Sequence, residues 1–386
     1  MDRLRVLFIT AWYPTKEYTL FGVFVREHAK AVQLYDDVVV LHCAESGRKQ
    51  KQLWRMQQEM DKSLTEGIPT YRLWYRRFII PKLWYFNYLW SVFQAFRKIV
   101  SQGFRPHIIH AHIYKAGLPA VLIGKLYHIP VVVTEHCTGF QRKIIKGPEA
   151  WTAKFALERA DMVMPVSKSL QSGIEAYRIH ARFQVVRNVV DTNLFQPKPF
   201  PQPQNQLKRL LFVGLLDLSH KKGVPYLLNA LARLQQLRDD WLLDIVGDGP
   251  ARVQYEHLAK DLAIGEKVIF HGQKTKKEVA EFMRQADILV VPSIFETFCI
   301  VAAEALATGL PVLATRCGGP EEFITDDVGL LVPPADDKAL FEGLDFMLND
   351  FQPESSKQMH KYAKGLFSPD IVGKQLHKFY KSLHFS

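Results

Sequence analysis

Two glutamates stand eight residues apart in the apolar run "PSIFETFCIVAAEALATGLPV" at 292–312: Glu296 and Glu304. With a strand over 287–292 and a helix over 297–307, Glu296 falls in the turn that opens the helix. The first unpaired N–H groups of the helix lie there, and they favour phosphate or sugar hydroxyls. Glu304 follows about two turns later. Among Ile300, Val301, Ala302, Ala303, Ala305 and Leu306 a carboxylate loses its hydration and needs a partner. The hydroxyls of a ribose suit it, because a carboxylate accepts two hydrogen bonds at once. The bland reading makes Glu296 a helix-terminal charge and Glu304 a surface residue.

Other groups able to do chemistry are scattered more widely. "HKKG" at 220–223 places Lys221 and Lys222 in a loop after an apolar run. "HAH" at 110–112 and "TEH" at 134–136 end two further apolar runs with histidine. A histidine at a strand end is usually structural. The "HAH" context favours a site role for His112 and leaves His110 structural. Cys43, Cys137, Cys299 and Cys317 form no C-x-x-C pair. A disulfide framework and a zinc site are not expected, and a reducing cytoplasm fits.

The elements that carry these residues repeat in style. Short Val- and Ile-rich runs at 5–10, 38–42, 107–112 and 130–135 alternate with helical segments. The pattern resumes at 210–214, 242–247, 268–272, 288–292 and 311–315. Such runs suit parallel strands buried on both faces, and the alternation predicts a doubly wound α/β architecture twice over. At 386 residues the chain is long enough for two domains. Between them "QPKPFPQPQNQ" at 196–206 cannot be a helix or a central strand and reads as an extended connector. In open α/β sheets ligands bind beyond the carboxyl ends of the strands, so two such domains facing each other would enclose a cleft. After the first two arginines the apolar run "VLFIT" is short, and it reads as a buried strand rather than a signal peptide.

Charge is uneven. Residues 1–195 hold 28 Lys and Arg against 15 Asp and Glu, and the remainder holds 22 against 24. The net charge of +11 therefore resides in the first half. No acidic residue occurs between Gly67 and Thr134. A basic field of this kind attracts anionic surfaces or phosphorylated substrates.

Taken together, "LLDIVGDGPAR", "VIFHG", "VAEFMRQADILVVPS" with the E-x7-E pair, and "RCGGPEEFITDDVGLLVPPAD" resemble glycosyltransferase family 4. "HAHIYKAG", "TEH", "VSKSLQSGI" and "VVRNVVDTNLFQP" extend the resemblance over nearly the whole chain. It implies the GT-B fold: two Rossmann-like doubly wound parallel-sheet domains facing a cleft. The N-terminal domain, 1–195, would bind the acceptor, and the C-terminal one, 207–367, the nucleotide sugar. A last helix at about 368–386 would cross back to the first domain, with apolar spacing at Ile371, Leu376 and Phe379.

The same resemblance implies roles. Glu304 anchors the ribose and Glu296 contacts the donor sugar. The N–H groups of Thr297, Phe298 and Cys299 face the sugar or diphosphate, with cysteine at 299 where the family usually has glycine. "FVGLLDLSHKKG" occupies the place of the phosphate loop, with Gly214 at its start and Lys222 matching the conserved lysine. Leu215 stands where the family has arginine, and Lys221 or His220 would supply that charge. Gly22 belongs to a glycine loop after the first strand, where the bland alternative is a turn glycine. Gly247 belongs to the "VGDGP" turn, and His112 touches the donor sugar. The implied activity is retaining glycosyl transfer from a nucleotide-diphosphate donor to a glycan hydroxyl in cell-surface polysaccharide biosynthesis. With no D-x-D in the chain, lysine and helix N-termini would meet the diphosphate charge. No cofactor and no essential metal is expected.

The stretch from Tyr71 to Val100, "YRLWYRRFIIPKLWYFNYLWSVFQAFRKIV", interleaves aromatic and basic residues. It is too short in uncharged residues to span a bilayer but suits an anionic membrane surface. That implies a lipid-linked acceptor and a cytoplasmic protein peripheral on the inner face of the membrane. A buried helix with basic flanks is the competing reading, and no nucleic-acid partner is expected. Two other function classes fit the scaffold: a nucleotide-sugar epimerase, and a non-catalytic sugar- or membrane-binding protein.

Overall fold

The computed structural model describes residues 3–46, 51–198 and 207–385, apart from the side chains of Pro81 and Lys82. Of the expected connector, residues 199–206 lie outside the described residues. The chain divides into two compact units, 1–189 with 369–386, and 190–368. The boundary falls just before Val190, whose N–H donates to the carbonyl of Phe367 at 2.9 Å.

The first unit runs β1 (Arg5–Thr10), α1 (Val23–Gln33), β2 (Asp37–Ser46), β3 (Trp54–Gln58), α2 (Lys62–Thr65) and β4 (Thr70–Arg76). It continues with α3 (Pro81–Ser101), β5 (Ile108–His112), α4 (Tyr114–Tyr127), β6 (Val131–Glu135), α5 (Gly147–Arg159), β7 (Met162–Pro165) and α6 (Lys168–Glu175). Its seven strands lie in the order β3-β4-β2-β1-β5-β6-β7. Among the described residues β3 alone runs antiparallel to its neighbour. The second unit runs β8 (Lys208–Val213), α7 (Val224–Leu234), β9 (Trp241–Val246), α8 (Arg252–Asp261), β10 (Val268–Gly272) and α9 (Lys276–Gln285). Then come β11 (Ile288–Val291), α10 (Ile300–Thr308), β12 (Val312–Thr315), β13 (Gly329–Val332), α11 (Asp337–Asn349) and α12 (Ser356–Phe367). Its six parallel strands are ordered β10-β9-β8-β11-β12-β13. The last helix, α13 (Pro369–His384), belongs to the first unit and packs on α1.

The core of each unit follows from the apolar runs. In the first, Val6, Phe8, Val38, Val40, Ile108 and Val132 of the sheet meet Val25, Ala29 and Val32 of α1. Val372, Leu376 and Tyr380 of α13 close over them. The face of α13 is thus set by Val372, Leu376, Tyr380 and Leu383, and Ile371 is 40% exposed. In the second unit Leu210, Phe212, Leu243 and Ile245 pack against Leu227, Leu231 and Trp241. Each such side chain contributes about 1.5–3 kcal/mol by leaving water.

The segment from Tyr71 to Val100 is not one surface stretch. Its first residues form β4, hydrogen-bonded between β2 and β3. Arg72 is buried: Nε donates to Glu59 Oε2 at 3.1 Å and Nη2 to the Pro14 carbonyl at 2.7 Å. It cannot serve a membrane, because an arginine without these partners would not be stable inside the fold. After a short loop at 77–80 comes α3, which is apolar on two sides. Tyr88, Val92, Phe96 and Ile99 are buried, whereas Phe86 and Trp90 are exposed. Among the described residues no helix is long and apolar enough to cross a membrane.

Candidate active site

Both sheets have a strand from which the winding departs in two directions. β1 lies between β2 and β5, and β8 lies between β9 and β11. Such switch points open a crevice at the carboxyl ends of the strands. In the second unit that edge carries Gly214 after β8, Gly247 after β9, and the segment from Pro292 to Glu296 after β11.

Lys222 and Glu296 meet there, with Nζ 2.6 Å from Oε1. Ser293 Oγ donates to the same carboxylate oxygen at 2.8 Å. Burial opposes the charge on Lys222, yet the adjacent Glu296 carboxylate, with smaller contributions from Cys299 and Cys317, offsets it, and the ammonium is held above its ordinary range. The Glu296 backbone is fixed to the next loop: its N–H donates to the Cys317 carbonyl at 3.0 Å, and its carbonyl accepts from Gly319 at 2.9 Å. Gly319 must be glycine, because a Cβ there would lie 2.4 Å from Phe298 Cα.

The helix carrying Glu304 starts later than the apolar pattern suggests, at Ile300. The reason is Cys299, whose φ of 70° is left-handed and keeps it out of the helix as its N-cap. Glycine would adopt this backbone at lower cost. The side chain of Phe298 is core, with ring centroids 5.3 Å from Phe323 and 5.6 Å from Phe367. Phe298 and Cys299, with buried side chains, can offer a ligand only backbone there. Glu304 is 9% exposed, so it is a buried carboxylate and not a surface residue.

The phosphate-loop candidates separate. Lys221 Nζ pairs with Asp217 at 3.2 Å. His220 takes a left-handed φ of 52°, and its Nδ1 lies 2.8 Å from Tyr255 Oη. Leu215 is 54% exposed at the arginine position. Gly223 and Gly247 are required by packing. A Cβ would lie 1.7 Å from the Pro292 carbonyl oxygen in one case and 1.8 Å from that of Gly214 in the other. Gly22, at φ 71°, lies against the backbone of Trp12 in the same way.

In the first unit the carboxyl edge gathers histidines. His112 Nδ1 is 3.1 Å from His136 Nε2, with the rings stacked at 15°. His110 is satisfied on both nitrogens, by Tyr380 Oη and Thr134 Oγ1, each at 2.6 Å. His28 on α1 joins the group, with its Nε2 on the Arg187 carbonyl at 3.0 Å. Burial holds all four below the ordinary imidazole range, His28 at about 4, so they are neutral at pH 7. His28 Nδ1, His112 Nε2 and His136 Nδ1 are buried without a hydrogen-bond partner. Such atoms are costly unless a ligand satisfies them. Among the described residues, His28, His112 and His136 bring three candidate ligand atoms within 4.8 Å of one another, a set with the reach to hold a metal ion.

Glu135 pins this edge. Its carboxylate accepts from the N–H groups of Tyr114, His136 and Cys137 at 2.8–2.9 Å. Burial pushes its pKa up to about 7, although those bonds work the other way. The first unit also holds a cavity of about 1780 Å³, walled by Trp12, Trp74, Tyr88 and Trp151 together with Arg72 and Lys115.

Ser293, His28, Glu135 and the cavity are absent from the sequence reading. "RCGGP" and "TEH" were the available signals for the loop at 317–319 and for Glu135. Nothing in the sequence joins His28 to a histidine 84 positions away.

Two family profiles match in tandem: Glycosyltransferase Family 4 over residues 22–194 and Glycosyl transferases group 1 over 196–366. A glycogen synthase of Mycobacterium tuberculosis is 27% identical over 70% of this chain. The aligned part is 66% of its length, just under two thirds. The putative teichuronic acid biosynthesis glycosyltransferase TuaC of Bacillus subtilis is 26% identical over 98% of this chain and 99% of its own. Among solved structures, Anabaena Alr3699/HepE in complex with UDP superimposes with a TM-score of 0.76 at 19% identity. That match covers 98% of this chain and 100% of the other. The chain belongs to glycosyltransferase family 4 and has its GT-B fold.

Proposed function

We propose that this chain is a retaining, metal-independent glycosyltransferase, moving a sugar from a nucleoside-diphosphate donor to a hydroxyl of a lipid-linked glycan. The acceptor would be a growing cell-surface polysaccharide, handled at the cytoplasmic face of the membrane. The observation that carries this reading is the pair of Lys222 Nζ and Glu296 Oε1 at 2.6 Å, at the carboxyl edge of β8 and β11. A cation beside a carboxylate, at the start of α10, suits a ligand with a diphosphate next to a sugar.

In the reaction the acceptor oxygen bonds to the anomeric carbon while the bond from that carbon to the diphosphate oxygen breaks. The nucleoside diphosphate leaves and takes the acceptor proton, so no separate base is assigned. Lys222 stabilises the charge that develops on the leaving group. Lys221, although tied to Asp217, adds to the local positive field. The N–H groups of Thr297, Phe298 and Cys299 serve the same charge. Glu296 orients the donor sugar, and Glu304 holds the ribose. His112 contacts the sugar, whose hydroxyls would satisfy its buried Nε2. Gly22, Gly214 and Gly247 let the backbone approach the ligand. Alr3699/HepE has been solved with UDP-glucose, which supports a nucleotide-sugar donor. The name of TuaC supports a cell-envelope glycan as acceptor.

The test is incubation of the protein with labelled UDP-, GDP- and ADP-sugars and bacterial membranes. One donor should transfer label to the lipid-extractable or polymer fraction, and Lys222→Ala should lose at least a hundredfold in rate. Free epimer released without membranes would replace this reading with an epimerase. Absence of turnover with every donor would replace it with a binding protein.

A further inference from the structure

The outer surface of the first unit departs from what a water-facing surface should be. On α3, Leu83, Phe86 and Trp90 are 50%, 67% and 44% exposed. On α4, which packs beside α3, Leu122 and Leu126 are 42% and 61% exposed. Between the helices runs a groove of about 230 Å³ lined by side chains with no charged group among them, including Phe86, Phe93, Pro119 and Leu126. Single exposed apolar residues are ordinary, but a contiguous patch on two helices marks a binding surface.

Charge and position narrow the occupant. No acidic residue lies between Gly67 and Thr134. The same two helices carry the exposed Arg97, Lys98 and Lys125, and the loop before α3 carries Arg77, 63% exposed on its side chain although paired with Glu45 at 3.5 Å. Tryptophan beside aliphatic side chains with basic neighbours is the composition favoured at an anionic bilayer interface. The groove borders the inner cavity: Leu89 and Leu122 line both. The outer side of that wall is hydrocarbon, and the inner side has the aromatic rings and polar groups that a glycan needs.

We propose that the α3–α4 face docks on an anionic bilayer and that its groove takes the hydrocarbon chain of the lipid-linked acceptor. The glycan end of that acceptor lies in the cavity beyond Leu89 and Leu122. This rests on the reading of the acceptor as lipid-linked.

The experiment uses the full chain and vesicles of phosphatidylcholine with and without 30% phosphatidylglycerol. The protein should co-float with the anionic vesicles, and the exposed double variant Phe86→Ser/Leu126→Ser should bind at least tenfold more weakly. Both proteins should melt at the same temperature and bind the same nucleoside diphosphate equally. Vesicles with brominated acyl chains should quench tryptophan fluorescence, and Trp90→Phe should remove most of the quenched component. Equal vesicle binding by the double variant, or quenching undiminished in Trp90→Phe, overturns the proposal. Nucleotide binding with no vesicle binding overturns it too but leaves the transferase reading standing. Vesicle binding with no nucleotide binding does the reverse, keeping the docking face and removing the transferase.

Discussion

The Lys222–Glu296 pair can be taken apart one partner at a time. The two groups are 2.6 Å apart, with side chains 26% and 11% exposed. With an effective dielectric of about 20, the attraction at that distance is about 6 kcal/mol. Desolvation of two ions offsets several kcal/mol of it, so the net coupling should be about 1–3 kcal/mol. Lys222→Ala leaves Glu296 nearly buried with Ser293 Oγ on its carboxylate and should cost about 2–4 kcal/mol in stability. Glu296→Ala should cost a comparable amount, and the double variant about 1–3 kcal/mol less than the sum of the two. The assay is urea unfolding, and Trp241 gives a local reporter. It is the one tryptophan between residues 190 and 368, and it is fully buried in the second core. The fluorescence change that disappears in Trp241→Phe therefore follows that unit. Additivity of the two substitutions to within about 0.5 kcal/mol would refute the argument, because uncoupled residues add.

Three other outcomes follow from the same geometry. Gly247→Ala should destabilise the second unit by about 3 kcal/mol or more, seen in the same urea experiment. The new Cβ meets the Gly214 carbonyl oxygen, and the φ of 144° is one that alanine avoids. His28 has a folded pKa of about 4 against an ordinary 6.5, so the unfolded chain takes up its proton first. Its contribution is present above pH 6.5 and is lost as pH falls towards 4. His28→Gln should remove about 1.4 kcal/mol per pH unit of that slope, measured by unfolding between pH 6.5 and 4.5. Dialysis against EDTA should leave glycosyl transfer unchanged within twofold. A tenfold loss restored by a divalent ion would show that the His28, His112 and His136 set, or another site, holds a required metal.

The fold was legible because many of its central strands, such as β5, β6, β11 and β12, are fully buried. Runs such as "RVLFIT" and "PVVVTE" carry the signal of a parallel sheet in their composition alone. β3 was not legible. It is a polar edge strand, "WRMQQ", with little burial to impose a pattern. β4 was hidden inside an aromatic and basic stretch, and its Arg72 is buried because Glu59 and the Pro14 carbonyl receive it. At the candidate site, Glu296, Glu304 and Lys222 were named from the order of the motifs, whereas the meeting of Lys222 with Glu296 across 74 positions is seen only in the fold. Ser293 was within three residues of Glu296, but a serine there carries no signal until the hydrogen bond is seen. His28 could not be found at all. Its place beside His112 is made by the pairing of β1 with β5 and the packing of α1, contacts between residues far apart in the chain.

The central claim is that the second unit holds a nucleoside diphosphate with Glu304 on its ribose. The direct measurement is a calorimetric titration of the protein and of Glu304→Ala with UDP, GDP and ADP. One nucleotide should bind at micromolar affinity, with a loss of more than tenfold, about 1.4 kcal/mol, in the variant. Equal affinity in the variant, or no binding of any of the three, would contradict that claim and return Glu304 to a purely structural role.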